Sequence, residues 1–303
     1  MTRFSLKILL ALAALCSAPP AAAQPAPPFA INSERVHYQS VQRCAGARAF
    51  IVPSFYLYIS ARNRLSTQEQ PKRGKPRIFI QGLEKQALQA LARNLYDDLI
   101  ARLRASGARV LTYDDIRSEI ANSPRKRGNS QFGLPTRSDR GSVNDFLVVA
   151  PSDEQAIDWE RNAVTRPYRD LARDNFAAVI VPELTFTLPQ TGDKARKAFD
   201  QGPLARRAGI SVDPALMFTS GMMNGMPEDL RWCNIHVQEH TFRLAAQGIG
   251  AIEPIARDES GDSDWRALRS DYAFVADPQA VAAGVLRVGY AFNALMADAL
   301  KRK

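Results

Sequence analysis

The stretch LEKQALQALARNLYDDLIARLRASGARVLT, residues 83–112, indicates the fold class of this chain more clearly than any other segment. Its leucines recur with the spacing of one helix face, and charged residues occupy the opposite face: Leu88, Leu91, Leu95, Leu99 and Leu103. Gly107 stands where a left-handed residue commonly ends a helix, and residues 109–112 then favour a strand. The stretch therefore predicts an amphipathic helix over 83–106 followed by a strand.

Several further elements surround this helix. Alternating or β-branched runs predict strands over 49–60, 77–81, 145–150, 177–188, 210–220 and 233–244, and helical patterns cover 114–122 and 166–174. Pro53 predicts that the first strand lies at an edge or carries a bulge. The Gly/Met-rich segment between the last two strands predicts a long hairpin turn, and four methionines cluster at its glycines: Met217, Met222, Met223 and Met226. Binding of copper by these soft thioether ligands is a weaker alternative.

The chain closes with a predicted helix over 277–300. Asp277 is a good N-cap, and Pro278 fits the first helical position. We expect its buried face to carry Val281, Val285, Val288, Phe292 and Leu295.

The order of elements predicts an α/β fold, an α+β sandwich. A mixed, largely antiparallel sheet would carry the early amphipathic helix and the C-terminal helix packed on it. We expect a leader over 1–23, a flexible lead-in over 24–46 and a single domain over 47–303. Long basic loops would interrupt that domain at about 61–76, 123–144 and 190–208.

The first 23 residues have the layout of a cleavable secretory leader. Arg3 and Lys7 form a positive start, an apolar run follows, and small residues end at Ala23. The run is too short to span a bilayer. Leu15 before Cys16 argues against a lipoprotein, which favours small residues there. We therefore expect cleavage after Ala23 and a periplasmic or secreted protein without a lipid anchor.

Cleavage would leave two cysteines and reduce the formal net charge from +9 to +7. Cys44 and Cys233 are candidates for a disulfide, because an oxidising compartment favours one. The alternative, two buried free thiols, stays open at this point.

The segments LARNLYDDLIARLRASGARVLTYDDI (91–116) and NFAAVIVPELTFTL (175–188), in this order after an export leader, resemble the α/β domains of bacterial envelope assembly proteins. The curli-secretion lipoprotein and the amino-terminal domain of the Tol translocation protein are examples. Residues 110–116 resemble a strand element of those proteins. The resemblance implies an envelope protein that works through contacts. The chain departs from these proteins in its basic insertions and in lacking a lipidation cysteine, and pore formation does not carry over.

One motif could support catalysis. His236 and His240 flank Glu239 in HVQEH, which matches the pattern of inverted zinc peptidases. That site needs a helix, whereas the alternation of Ile235, Val237 and Thr241 predicts a strand. The preferred interpretation is therefore no catalytic residue, no metal and no cofactor. A zinc-dependent hydrolase with Glu239 as catalytic base remains the alternative.

Basic residues cluster in the predicted loops, and two clusters are candidates for contact with an anionic surface: Lys72, Arg73, Lys75 and Arg77, and then Arg125, Lys126 and Arg127. Such clusters attract anionic lipid or polysaccharide, or they keep the loops soluble. Export makes nucleic acid an unexpected partner. The sequence thus predicts a non-enzymatic periplasmic protein that contacts an envelope protein or an anionic envelope surface.

Overall fold

A computed structural model describes residues 29–64, 77–126, 133–138, 144–158, 162–188, 216–227, 229, 231–238, 250–255 and 271–301. The leader lies outside the described residues, as do the predicted basic loop at 190–208, most of the one at 61–76 and half of the one at 123–144.

Twelve strands of the described part of the chain form one mixed sheet. They are β1 (Val36–Gln39), β2 (Ala49–Val52), β3 (Tyr56–Arg64), β4 (Arg77–Gln81), β5 (Arg109–Thr112), β6 (Thr136–Ser138), β7 (Asn144–Val149), β8 (Ala177–Thr187), β9 (Met217–Met226), β10 (Cys233–Gln238), β11 (Gly250–Ile255) and β12 (Asp271–Ala276). The main order is β1-β10-β9-β8-β3-β4-β12-β11; β2 also pairs with β8 and β5, and β7 with β3 and β6. Most pairings are antiparallel, as predicted.

The helices among the described residues are α1 (Val41–Ala45), α2 (Lys85–Ala105), α3 (Tyr113–Ile116), α4 (Asn162–Asp174) and α5 (Pro278–Leu300), and a short 3₁₀ turn covers Ser33–Arg35. Helices α1, α2 and α5 contact one another or the β9–β10 side of the sheet, whereas α4 packs on β8. The predicted α/β fold, with an early and a C-terminal helix on a mixed sheet, is confirmed.

Helix α2 agrees closely with the leucine pattern that predicted it. All five of its patterned leucines are buried, and Gly107 has the left-handed φ of +86° that ends the helix. Buried Asn293 of α5 ties the two long helices together, because its side-chain amide donates to the Leu95 carbonyl at 2.8 Å and to Asp98 at 2.9 Å.

The predicted strand over 49–60 is two strands. Residues 53–55 have no strand conformation, and β2 and β3 on either side both pair with β8. Pro53 therefore ends an internal strand instead of marking an edge. Pro182 of β8 falls between residues 177–179, which pair with β2, and residues 183–186, which pair with β3. On this side of β8 Pro182 therefore lies between two ladders, and on the other side it is paired with Met223 of β9.

The Gly/Met-rich segment is strand β9, not the predicted hairpin turn. The turn to β10 comes later, after Met226. The glycines serve packing: a Cβ on Gly221 would lie 2.9 Å from the Phe292 ring, and one on Gly225 would lie 2.7 Å from Cys44 Sγ. A strand that passes close under a helix and a disulfide needs residues without side chains at these positions.

The segment 29–46 is not a flexible lead-in. It forms the 3₁₀ turn, edge strand β1 and helix α1, and β1 pairs with β10 along its whole length. Val41 and Cys44 of α1 are buried. Two distant contacts keep this polar segment in place: the pairing of β1 with β10 and the contact between Cys44 and Cys233. The local sequence pattern predicts neither of them.

Helix α5 begins as predicted, with Asp277 accepting hydrogen bonds from the amides of Gln279 and Ala280. Its length and its mean hydropathy of 1.4 would suffice to cross a bilayer, but half of that apolar window is buried in the protein. The predicted buried face is right except at its end: Met296 is fully buried, whereas Leu295 is only partly buried.

Candidate binding surface

The described residues contain no group of three or more His, Cys, Asp or Glu side chains arranged to hold a metal ion. The candidate zinc motif begins in strand β10, where His236 lies, and Glu239 and His240 fall outside the described residues. A strand separates positions four apart by about 13 Å, whereas a helix brings them to one ion. The described part of the motif, residues 236–238, therefore has the strand conformation that the sequence predicts.

His236 has a different neighbour from the one that the motif suggests. The register places it directly opposite His37 of β1 and opposite Met222 of β9. The pKa of His236 is lowered, first by burial and then by the nearby His37. Because opposed residues project from the same face of a sheet, these three side chains form a row across three strands.

Cys44 and Cys233 are paired at disulfide geometry, with their Cα atoms 6.1 Å apart. The pair joins α1 to the first residue of β10 across 189 positions of sequence. Both cysteines are fully buried. The sequence left open a disulfide or two buried free thiols, and the structure has the disulfide-capable pair.

An open groove of about 1220 Å³ runs between β1, helix α1 and the end of α5. Its apolar lining comes from both helices and β1: Tyr38, Val41, Ala45, Leu295 and Ala299. Arg48, Asp298 and Lys301 add charge, and the last two form an ion pair at 2.5 Å. Tyr38 is 54% exposed, which leaves a large aromatic ring open to solvent.

Two residues near the groove have an unusual backbone. Ser40, directly before α1, has a φ of +52°, and Phe176, directly before β8, has a φ of +49°. Phe176 is also 55% exposed, and the guanidinium of Arg48 lies 5.5 Å from its ring centroid. A left-handed conformation is costly for a bulky side chain, and such residues concentrate at functional surfaces.

Strand β1 is an edge of the sheet. It pairs with β10 on one side and, among the described strands, has no neighbour on the other. An edge strand presents N–H and C=O groups that another chain can pair with. The groove lies beside this edge, so the two features form one continuous surface, hereafter the β1 surface: β1, α1, Arg48 and the end of α5.

The anionic-surface candidates are not brought together in the described structure. Lys72, Arg73, Lys75 and Arg127 lie outside the described residues, and Arg77 is described only as the first residue of β4. Arg125 donates to the Ser123 carbonyl at 2.7 Å. Lys126 lies 5.6 Å from the centroid of the Tyr56 ring and 5.7 Å from that of Tyr58. These last two side chains therefore contact the protein itself.

Comparisons with protein-family models, with curated proteins and with solved structures found no match.

Sequence reasoning missed the β1 surface, for an identifiable reason. Its residues come from the two ends of the chain, and the segment VHYQ of β1 carries no strand alternation strong enough to predict a strand. The available signal was Cys44, because a cysteine paired with a distant one cannot lie in a flexible lead-in.

Proposed function

We propose that this protein is exported to the periplasm and acts by binding a second envelope protein, an extended segment of which adds to the sheet along β1. The observation that carries the proposal is the open edge of β1 beside an apolar groove. Strand addition draws its affinity from main-chain hydrogen bonds and its specificity from pockets for alternate side chains.

The β1 edge differs from two other edges of the described sheet. Strand β11 carries Pro254 and Glu253, and β6 has only three residues, including Arg137. Proline and charge are usual means of blocking an edge. The residues of β1 are Val36, His37, Tyr38 and Gln39, with neither proline nor a permanent charge.

The groove supplies the specificity that strand addition needs. Successive side chains of an added strand point to opposite faces, so every second one would face the groove. Val41, Ala45 and Leu295 favour an apolar side chain there, and Tyr38 offers a ring to pack against. The expected ligand is therefore an extended segment with apolar residues at alternate positions.

Export is supported by the leader pattern and by the cysteine pair. A disulfide-capable pair fits an oxidising compartment. The resemblance to envelope assembly domains supports the same class of function, an accessory protein that holds other envelope proteins. Catalysis has no comparable support among the described residues.

The test is capture of partners from envelope fractions with two matched variants. Replacing Tyr38 and Leu295 by serine removes an aromatic and an aliphatic side chain from the β1 surface. The control replaces Tyr290 and Leu286, which lie elsewhere on α5, where Tyr290 is 38% exposed. We expect the first variant to lose the specific partner and the control to retain it. Equal capture by both would contradict the proposal.

A further inference from the structure

The row of His37, His236 and Met222 offers three metal-binding donors on one face of three adjacent strands. His37↔His236 and His236↔Met222 are direct register partners, without a bulge between them. Adjacent strands lie about 4.8 Å apart, and directly opposed Cβ atoms are about 5 Å apart. The two imidazoles are therefore neighbours, and the thioether lies on the other side of the central one.

We propose that His37, His236 and Met222 form a binding site for copper(I). The donor set is two imidazole nitrogens and one thioether sulfur. Thioether ligands select copper(I), imidazole suits copper, and neither donor carries a charge that would favour hard cations such as magnesium or calcium.

The surroundings of the three side chains leave them available. His37 is exposed, His236 and Met222 are partly buried, and the described structure gives neither imidazole a hydrogen bond. The charged group nearest in the same row is Glu183 of β8, opposite Met222.

The site shares strand β1 with the β1 surface, but it lies on the face of the sheet opposite the groove. Tyr38 follows His37 in β1, so the two side chains project from opposite faces of the strand. Copper binding and partner binding can therefore be tested independently, and failure of one leaves the other standing.

The test is a titration of the full chain with copper(I) against the chromogenic chelator bicinchoninate. Ascorbate keeps the copper reduced and leaves the disulfide intact, and Cys16→Ala removes the leader thiol as a competing ligand. A thiol count of zero before titration verifies the starting state. We expect one copper(I) per chain to be withdrawn from the chelator.

The variants identify the ligands. His37→Ala, at an exposed edge position, and Met222→Leu should each weaken copper(I) binding at least about tenfold. Met217→Leu, a methionine in the same strand, and His240→Ala are the matched controls and should bind like the parent chain. The proposal is overturned if the parent chain withdraws no copper, if His37→Ala binds as tightly, or if Met217→Leu weakens binding as much as Met222→Leu.

Discussion

At the scale of single residues, Gly225 shows how one missing side chain positions a covalent link. It lies opposite Cys233 in the β9–β10 register, and a Cβ there would overlap the sulfurs of both Cys233 and Cys44. The glycine therefore leaves room for the cysteine pair between β9 and helix α1.

Gly225→Ala should destabilise the protein by about 2 kcal/mol, because the added methyl group has no space beside two buried sulfurs. Gly46→Ala is the control: its Cβ would lie 3.4 Å from the Gln42 carbonyl oxygen, with an ordinary φ of −75°. Urea unfolding measures both. Equal midpoints for the two variants would show that Gly225 does not make room for the cysteine pair.

At the scale of elements, prediction succeeded where the pattern is local and failed where a distant contact decides. Helices α2 and α5 follow from leucine and valine spacing and from capping residues, all of which the chain displays within a few positions. Strand β9 does not, since its glycines and methionines resemble a turn until Phe292 and the cysteine pair are placed against them. Leu295 illustrates the same limit. Residues three and four positions apart both lie on one helix face, so the spacing alone does not decide whether position 295 or 296 is buried.

The contact between α2 and α5 depends on close approach at Gly289, where a Cβ would overlap the buried Leu95. Gly289→Ala gains about 1 kcal/mol of helix propensity but incurs an overpacking cost of about 2 kcal/mol. We therefore expect a net loss of about 1 kcal/mol in the free energy of unfolding.

The double variant Gly289→Ala with Leu95→Val tests the cause. Shortening Leu95 makes room for the methyl group, so the double variant should be more stable than the sum of the two single effects implies. Strict additivity in urea unfolding would mean that Gly289 and Leu95 do not limit the approach of the helices.

At the scale of the whole molecule, the cysteine pair incorporates the N-terminal segment into the sheet. The sequence predicted the α/β class and the candidate cysteine pair, since composition, periodicity and compartment suffice for these. It did not predict β1, α1 or the groove, because these depend on contacts between residues 36–48 and the far end of the chain.

Removing the pair should therefore destabilise the whole protein. Closing a loop of this length corresponds to about 5 kcal/mol in the chain-entropy model. The double substitution of Cys44 and Cys233 by serine should remove a large part of it, whereas Cys16→Ser should have no effect. Peptide mapping without reductant should recover the peptides of Cys44 and Cys233 joined. Recovery of both as alkylated free thiols would contradict a disulfide in the protein.

The central claim is that the β1 surface binds a partner in the envelope. The most direct measurement places a photo-crosslinking amino acid at Tyr38 in living cells, with the same substitution at Tyr290 as the control, because both tyrosines are exposed. Irradiation should give one discrete crosslinked species from Tyr38, mapped to an extended segment with alternating apolar residues, and none from Tyr290. No crosslink at Tyr38, or the same products from both positions, would contradict the claim.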